Sequence, residues 1–237
     1  EMGKMTLKTK LVMDIEDHGR LVFEDGCAAE SFPMFLSSMV LEAFQVLWTN
    51  SLGPLHFNSV SVDVRVEEEY MKARLEEVRL GKIRVEPGET VTVSVVLHPH
   101  RGRRIVETLS IQIPASARPG EVELVVSDAD TALENEKSRS PKLYEPETVE
   151  RLISTLKMKQ CRYNVVVSLA VPTEGLMVGD REMPDLPGSM RNILTTLSGG
   201  GRVSPLVQHA DWSVRTDYII EGNLSAELEI VAEESDF

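Results

Sequence analysis

Two histidines and three arginines crowd into His98-Pro99-His100-Arg101-Gly102-Arg103-Arg104, in a chain that is otherwise acidic. Guanidinium forks match carboxylates and phosphates in shape and charge. His98, His100, Arg101, Arg103 and Arg104 therefore form the candidate loop for an anion or a protein partner. The two imidazoles could occupy two positions on a metal, but no matched third ligand accompanies them, so no metal and no other cofactor is expected. The competing reading is a solvated hairpin loop whose charges pair with neighbouring acids, and the sequence favours it.

Other stretches imitate chemistry without completing it. Ser127-Asp128-Ala129-Asp130-Thr131 has acids at alternate positions, but a calcium loop needs more oxygens and a glycine at the bend, so Asx-turns are expected. Gly199-Gly200-Gly201-Arg202 follows a helical pattern and is not followed by lysine, which is not how a phosphate-binding loop is built. Pro187-Gly188-Ser189-Met190 lacks the flanking glycines of a nucleophile elbow, and Ser189 reads as a helix cap. Cys161 and His209 could serve as nucleophile and base, yet nothing local supports the pair. Glu67-Glu68-Glu69 reads as a solvated strand end. No catalytic residue is assigned; a hydrolase with a dispersed site is the enzymatic reading left open.

Composition narrows the partners. The 237 residues carry 38 acidic against 25 basic side chains, a formal net charge of −13. That field repels phosphate backbones, so nucleic acid is not an expected partner. Aromatic content of 5% argues against a stacking platform for bases or sugars. The longest apolar stretch, Phe32 to Trp48, is broken by Ser37, Ser38, Glu42 and Gln45 and is too short and polar to span a bilayer. No apolar run follows Glu1-Met2-Gly3-Lys4, so no signal peptide is read there. Cys27 and Cys161 are expected as two buried free thiols, with one disulfide as the alternative.

These groups must be positioned by elements that the residue pattern also predicts. Leu11–Ile15 and Leu21–Phe23 flank Asp17-His18-Gly19-Arg20 as a hairpin, and Gly26 ends the second strand. Ser31 caps a helix running to about Asn50, apolar nearly all round and so buried on several sides; a docking helix for another domain is the alternative. From Phe57 to Ala132 the pattern is β. Val60, Val62, Val64 and Val66 alternate with Ser61, Asp63 and Arg65, and Pro87-Gly88 feeds a strand with Val91, Val93 and Val95 on one face. Further strands are expected at Ala73–Val78, Lys82–Val85, Ile105–Ile113 and Val122–Val126. Glu134–Lys142 reads as a linker. A helix then starts near Pro146 with Val149, Leu152, Ile153 and Leu156 on one stripe. Asn164–Val171 is a buried-type strand, Pro184–Pro187 a turn, and Ser189 onward a helix ending at Gly199-Gly200-Gly201. Trp212–Glu221 and Leu224–Ala232 are expected to pair as a hairpin through Gly222-Asn223. The fold class is α+β, mostly β. A central immunoglobulin-like antiparallel β-sandwich (57–136) is flanked by an N-terminal hairpin plus helix (1–56) and a C-terminal α/β segment (137–237) packed on the rest.

Several segments in this order resemble one known family. They are Val85-Glu86-Pro87-Gly88-Glu89-Thr90-Val91 running to His100-Arg101-Gly102, Leu109-Ser110-Ile111-Gln112-Ile113-Pro114, and the strand into Ser127-Asp128. Pro146-Glu147-Thr148-Val149-Glu150-Arg151-Leu152-Ile153, Tyr163-Asn164-Val165-Val166-Val167 and Leu186-Pro187-Gly188-Ser189 follow. Over roughly residues 57–197 the chain is similar to the region C-terminal to the catalytic domain in bacterial proteins of the sporulation stage IV B-type serine peptidase family. The family's peptidase domain carries its nucleophile in a Gly-Ser-rich segment with a histidine elsewhere; no segment here matches, so no catalytic residue is carried over. The resemblance implies a non-catalytic accessory module, located outside the cytoplasm, that docks its own catalytic domain or another protein. A free-standing binding protein for a small anionic or carbohydrate ligand is the alternative.

Overall fold

The computed structural model describes residues 5–29, 32–178, 181–183 and 203–232. It is mostly β, with three α-helices among the described residues, and it is built around two hydrophobic cores.

The first core lies under a three-stranded N-terminal sheet. Strands β1 (Met5–Ile15) and β2 (Gly19–Ala29) form the expected hairpin, longer than the apolar residues alone indicate. Asp17 (φ 63°) and Gly19 (φ 73°) make its turn, a left-handed backbone that a short polar residue and glycine tolerate. β3 (Phe57–Glu67) pairs antiparallel with β1 to complete the order β2-β1-β3. Alternation places Leu11, Met13, Ile15 and Leu21 on one face, where they bury against Ala43 and Leu47 of α1 (Phe32–Trp48) and Leu152 and Ile153 of α3 (Val149–Met158). Each fully buried leucine here contributes about 1.5–3 kcal/mol of transfer free energy.

The second core lies between two sheets packed face to face, a sandwich. One sheet has the order β12-β4-β6-β7, from β12 (Ile219–Glu221), β4 (Lys72–Leu80), β6 (Thr90–Pro99) and β7 (Ile105–Gln112). The other runs β10-β9-β8-β13-β5, with β11 (Val203–Arg215) also paired to β9. Its strands are β10 (Arg181–Met183), β9 (Asn164–Val178), β8 (Gly120–Ser127), β13 (Asn223–Ile230) and β5 (Arg84–Val85). Val91, Val93, Val95 and Leu97 of β6 face Leu124 and Val126 of β8 and Val165, Val167 and Leu169 of β9, all buried. The sandwich thus draws strands from both sides of residue 136, while β3 belongs to the N-terminal sheet. Both of its sheets are mixed: β12 pairs parallel with β4, and β13 parallel with β5.

Five expectations need correction. Residues 134–139 are not linker but continue α2 (Ala129–Arg139). Asp128 caps it, Oδ1 accepting from Thr131 N at 2.7 Å, so the Ser127–Thr131 stretch is a helix start rather than a loop of turns. α3 starts after Thr148, whose hydroxyl accepts from Arg151 N, rather than at Pro146. The C-terminal hairpin does not form. Gly222 (φ 105°) donates its N–H to Asp128 Oδ2 at 2.8 Å, and the chain there crosses from one sheet to the other, so β12 pairs with β4 and β13 with β8. Gly26 lies inside β2 rather than at its end. The expected turn at Pro184–Pro187, the helix from Ser189 and the Gly199-Gly200-Gly201 loop lie outside the described residues.

Candidate interaction surface

The five residues of the basic loop sit on the β6–β7 hairpin and are exposed. Arg104 is engaged: Nε and Nη2 donate to the two carboxylate oxygens of Glu76 on β4 at 2.6 and 2.7 Å, and this fork holds the Glu76 carboxyl below its ordinary range. His98 Nδ1 lies 3.9 Å from the same carboxylate. The His100 ring meets Tyr70 edge-on at 4.8 Å, and its backbone N–H donates to Lys72 O. Arg101 and Arg103 carry no ion pair among the described residues. The hairpin therefore brings the five side chains together along one turn but commits three of them to neighbours.

A second cluster of titratable groups lies where the N-terminal sheet meets the sandwich. Asp25 on β2 is 8% exposed. Its Oδ1 accepts from the backbone N–H of Gly26 (2.9 Å) and Arg162 (3.0 Å), and its Oδ2 from Arg162 Nη1 (3.1 Å). Burial pushes the Asp25 carboxyl up, against the opposing pull of the Arg162 guanidinium and the two backbone donors. Arg162 also donates to Asp130 Oδ2 at 2.8 Å, tying β2 to the start of α2. Tyr163 packs against the other face of β2 at Gly26. A Cβ built on Gly26 would lie 2.2 Å from the Tyr163 hydroxyl oxygen, so only glycine fits. A cleft of about 330 Å³ beside this junction is lined by Lys8, Lys10, Glu24, Arg65 and Arg215 among others. Its charges are largely spent internally: Glu24 accepts from Lys10 at 2.9 Å and Arg215 at 3.0 Å, and Lys8 pairs with Glu67 at 2.8 Å.

This junction ties β2 to the start of α2 and to the chain entering β9. Burial pushes the Cys161 thiol up to about 11, opposite to what a nucleophile needs, and its Sγ lies 3.9 Å from Asp25 Oδ1. His209 faces Arg139 on α2, with Nδ1 3.1 Å from Nη1; burial and then that guanidinium lower its proton affinity. The two residues thus keep separate company. Cys27 and Cys161 are free thiols, both half-buried. Among the described residues no three His, Cys, Asp or Glu side chains converge on a point where a metal could sit.

What the surface does offer is apolar area. α1 lies on β1 and β2 and buries Ala43 and Leu47, but Leu41 stands 58% exposed and Trp48 65%. This corrects the expectation of a helix buried on several sides, over the part of α1 whose side chains are described, 40–48. Trp48 stacks on Phe44 (centroids 5.5 Å apart) and lies 6.2 Å from the ring of Phe57. Val46, on the opposite flank of α1 from Trp48, and Leu52, beyond its end, are also exposed. Beyond α1's reach, Val60, Val62, Val64 and Val66 of β3 are each 40–56% exposed. Reasoning from sequence missed Asp25, Arg162 and Tyr163, and offered an exposed α1 only as the alternative to a buried one. The one local signal was Gly26, a glycine inside a strand pattern.

Among the described residues no helix is long and apolar enough to cross a membrane. No family model, no curated protein and no solved structure matches the chain.

Proposed function

We propose that this chain is a non-catalytic interaction module that docks a protein through the exposed face of α1. The observation that carries the reading is Trp48, a large side chain stacked on Phe44 yet left mostly in solvent, with Leu41 two turns away on the same side of the helix also exposed. Isolated exposed leucines are ordinary, but a large exposed aromatic with a leucine on the same helix face is a common anchor of a protein interface. The chain's resemblance to the region after a sporulation stage IV B-type peptidase domain supplies the partner: the catalytic domain of an exported bacterial peptidase-like protein, outside the cytoplasm.

The test is binding of this chain to a separately produced catalytic domain of that type, read by calorimetry. Leu41→Asp and Trp48→Ser should each weaken binding at least about tenfold, because anchors buried at an interface centre typically cost 1–2 kcal/mol or more on loss. No binding by the unsubstituted chain, or equal binding by both variants, refutes the reading. The second reading, a binding protein for a small anion or glycan, is favoured by Arg101 and Arg103, exposed without an acidic partner among the described residues. A thermal-shift series with phosphate, carboxylates and glycans tests it, and no shift with any of them rejects it.

A further inference from the structure

The N-terminal sheet has two edges with different fates. The β2 edge is anchored to the rest of the molecule through Asp25–Arg162 and through Glu24, whose Oε2 accepts from Arg215 at 3.0 Å. The β3 edge pairs with nothing beyond β1 among the described residues. β3 is eleven residues long, Phe57-Asn58-Ser59-Val60-Ser61-Val62-Asp63-Val64-Arg65-Val66-Glu67, with no proline, glycine or lysine. Natural sheets shield free edges with those residues, with bulges or with very short strands. The open edges of the sandwich do not match it: β5, β10 and β12 have two or three residues, β7 has eight with Glu107 among them, and β11, though thirteen long, contains Pro205 beside a shift in its register. β3 does carry a bulge at Asn58, where its register against β1 shifts, but Ser59–Glu67 pairs with β1 in unbroken register, and the outer edge of that valine-bearing stretch is a template for another strand.

We propose that the strand is β3 of a second copy of this chain, paired antiparallel about a two-fold axis at Val64. The register follows from the charges. With Val64 opposite Val64, Asp63 faces Arg65 of the second copy and Arg65 faces its Asp63, so the acid–base pair occurs twice. On the other face Val62 meets Val66 and Val66 meets Val62, which continues the valine stripe across the interface. A two-fold at Asp63 sets Asp63 against itself. One at Arg65 sets Arg65 against itself and Asp63 against Glu67. One at Val62 leaves both charges opposite serines. Shifts that set an even-numbered residue against an odd one put valine opposite the polar set and break both faces. Directly opposed side chains in an antiparallel pair lie about 4.5–5.5 Å apart at Cβ, close enough for these groups to attract. Asp63 and Arg65 are exposed, at 62% and 77% of their side-chain area, and among the described residues form an ion pair only with each other, Arg65 Nε standing 3.3 Å from Asp63 Oδ1. They are free to exchange partners. The product is one six-stranded sheet, β2-β1-β3-β3-β1-β2, with the isologous symmetry of most protein dimers.

This pairing goes beyond the docking reading and uses a different surface, so either can fail alone. The test is sedimentation equilibrium of the whole chain, with circular dichroism to confirm folding of each variant. The unsubstituted chain should be dimeric. Asp63→Arg and Arg65→Asp should each weaken the dimer by about tenfold or more, because each sets like charges against each other twice. An equimolar mixture of those two variants should recover the dimer, since each then supplies the charges the other needs. The double variant carrying both Asp63→Arg and Arg65→Asp should dimerise like the parent chain. Because both positions are exposed, none of these changes touches a core. A chain that stays monomeric at every concentration overturns the proposal, as does a dimer unaffected by either single reversal, which would place the interface elsewhere. A monomer that still binds the catalytic domain through Leu41 and Trp48 overturns the pairing while the docking reading stands. Association of β3 with the catalytic domain instead of a second copy would appear as loss of that binding in Val64→Lys, and it too overturns the dimer.

Discussion

Replacing Gly26 by alanine separates two physical effects that predict opposite signs. Gly26 sits inside β2, and its backbone is not among those with positive φ, so alanine meets no conformational strain there. Considered as a strand residue alone, Gly26→Ala should stabilise the fold by about 0.5–1 kcal/mol, because glycine loses the most backbone freedom on folding. The geometry opposes this. The new Cβ would lie 2.2 Å from the Tyr163 hydroxyl oxygen and 2.7 Å from its Cε2 and Cζ atoms. Ordinary contact needs about 3.4 Å or more, so the ring must retreat by roughly 1 Å. Tyr163 is 4% exposed, with Lys8 Nζ 5.9 Å and the Arg215 guanidinium 5.8 Å from its ring centroid. Overpacking of that kind costs about 1–3 kcal/mol, which outweighs the entropic gain and leaves a net loss of about 1–2 kcal/mol.

Urea unfolding reads the result as a lower midpoint with unchanged slope. The second substitution in the cycle is on Tyr163. Its hydroxyl is buried without a hydrogen-bond partner among the described residues, so Tyr163→Phe in the parent chain should be neutral or stabilising by up to about 1 kcal/mol. In the Gly26→Ala background Tyr163→Phe removes the 2.2 Å contact but keeps Cζ at 2.7 Å, so rescue is partial, whereas Tyr163→Val clears all three atoms. A coupling energy of at least about 1 kcal/mol is expected between positions 26 and 163. A Gly26→Ala protein as stable as the parent, or effects that add without coupling, would refute the claim that this glycine exists to seat the tyrosine.

Two further outcomes follow from the same junction. Because burial raises the Asp25 carboxyl above its unfolded value of 3.8, the folded chain holds that proton to higher pH than the unfolded chain does. Stability from this group is therefore lost as pH rises from about 4 through the folded value, so the parent chain should lose ground against Asp25→Asn over that window and hold a constant difference above it; a difference that does not change with pH from 4 upward contradicts the burial argument. The Cys161 thiol, pushed up to about 11 from an ordinary value of 9.0, should present on the order of a hundredfold less thiolate at pH 8 than in the unfolded chain, so alkylation in the Cys27→Ser background should speed up sharply on adding urea; equal rates with and without urea would count against it.

Local pattern carried most of the strands and little of their partnership. Strict alternation identifies Val60–Val66 as a strand, but a period of two cannot say which sheet receives it, and β3 went to β1 instead of the sandwich. Gly222-Asn223 carries a hairpin signal that a distant side chain overrides, because Asp128 holds the Gly222 N–H and the chain crosses between sheets there. α2 escaped notice because it buries only Ala129 and has no apolar stripe to detect; its one readable mark was the capping position of Asp128. Gly26 was read as punctuation, whereas the reason for it lies on the far side of the sequence, in Tyr163. The α1 discrepancy is of another kind. Its residues are apolar enough for burial on several sides, and the described part buries one stripe and leaves Leu41 and Trp48 out. A missing long-range contact explains the errors at Gly26 and Gly222, but here nothing within the described chain covers the apolar residues. Sequences are consistent across levels except where function requires otherwise. In the docking proposal a second protein completes the core at this element, patterned for burial and left uncovered, and in the pairing proposal the exposed valines of β3 follow the same logic at the free edge of the sheet beneath it.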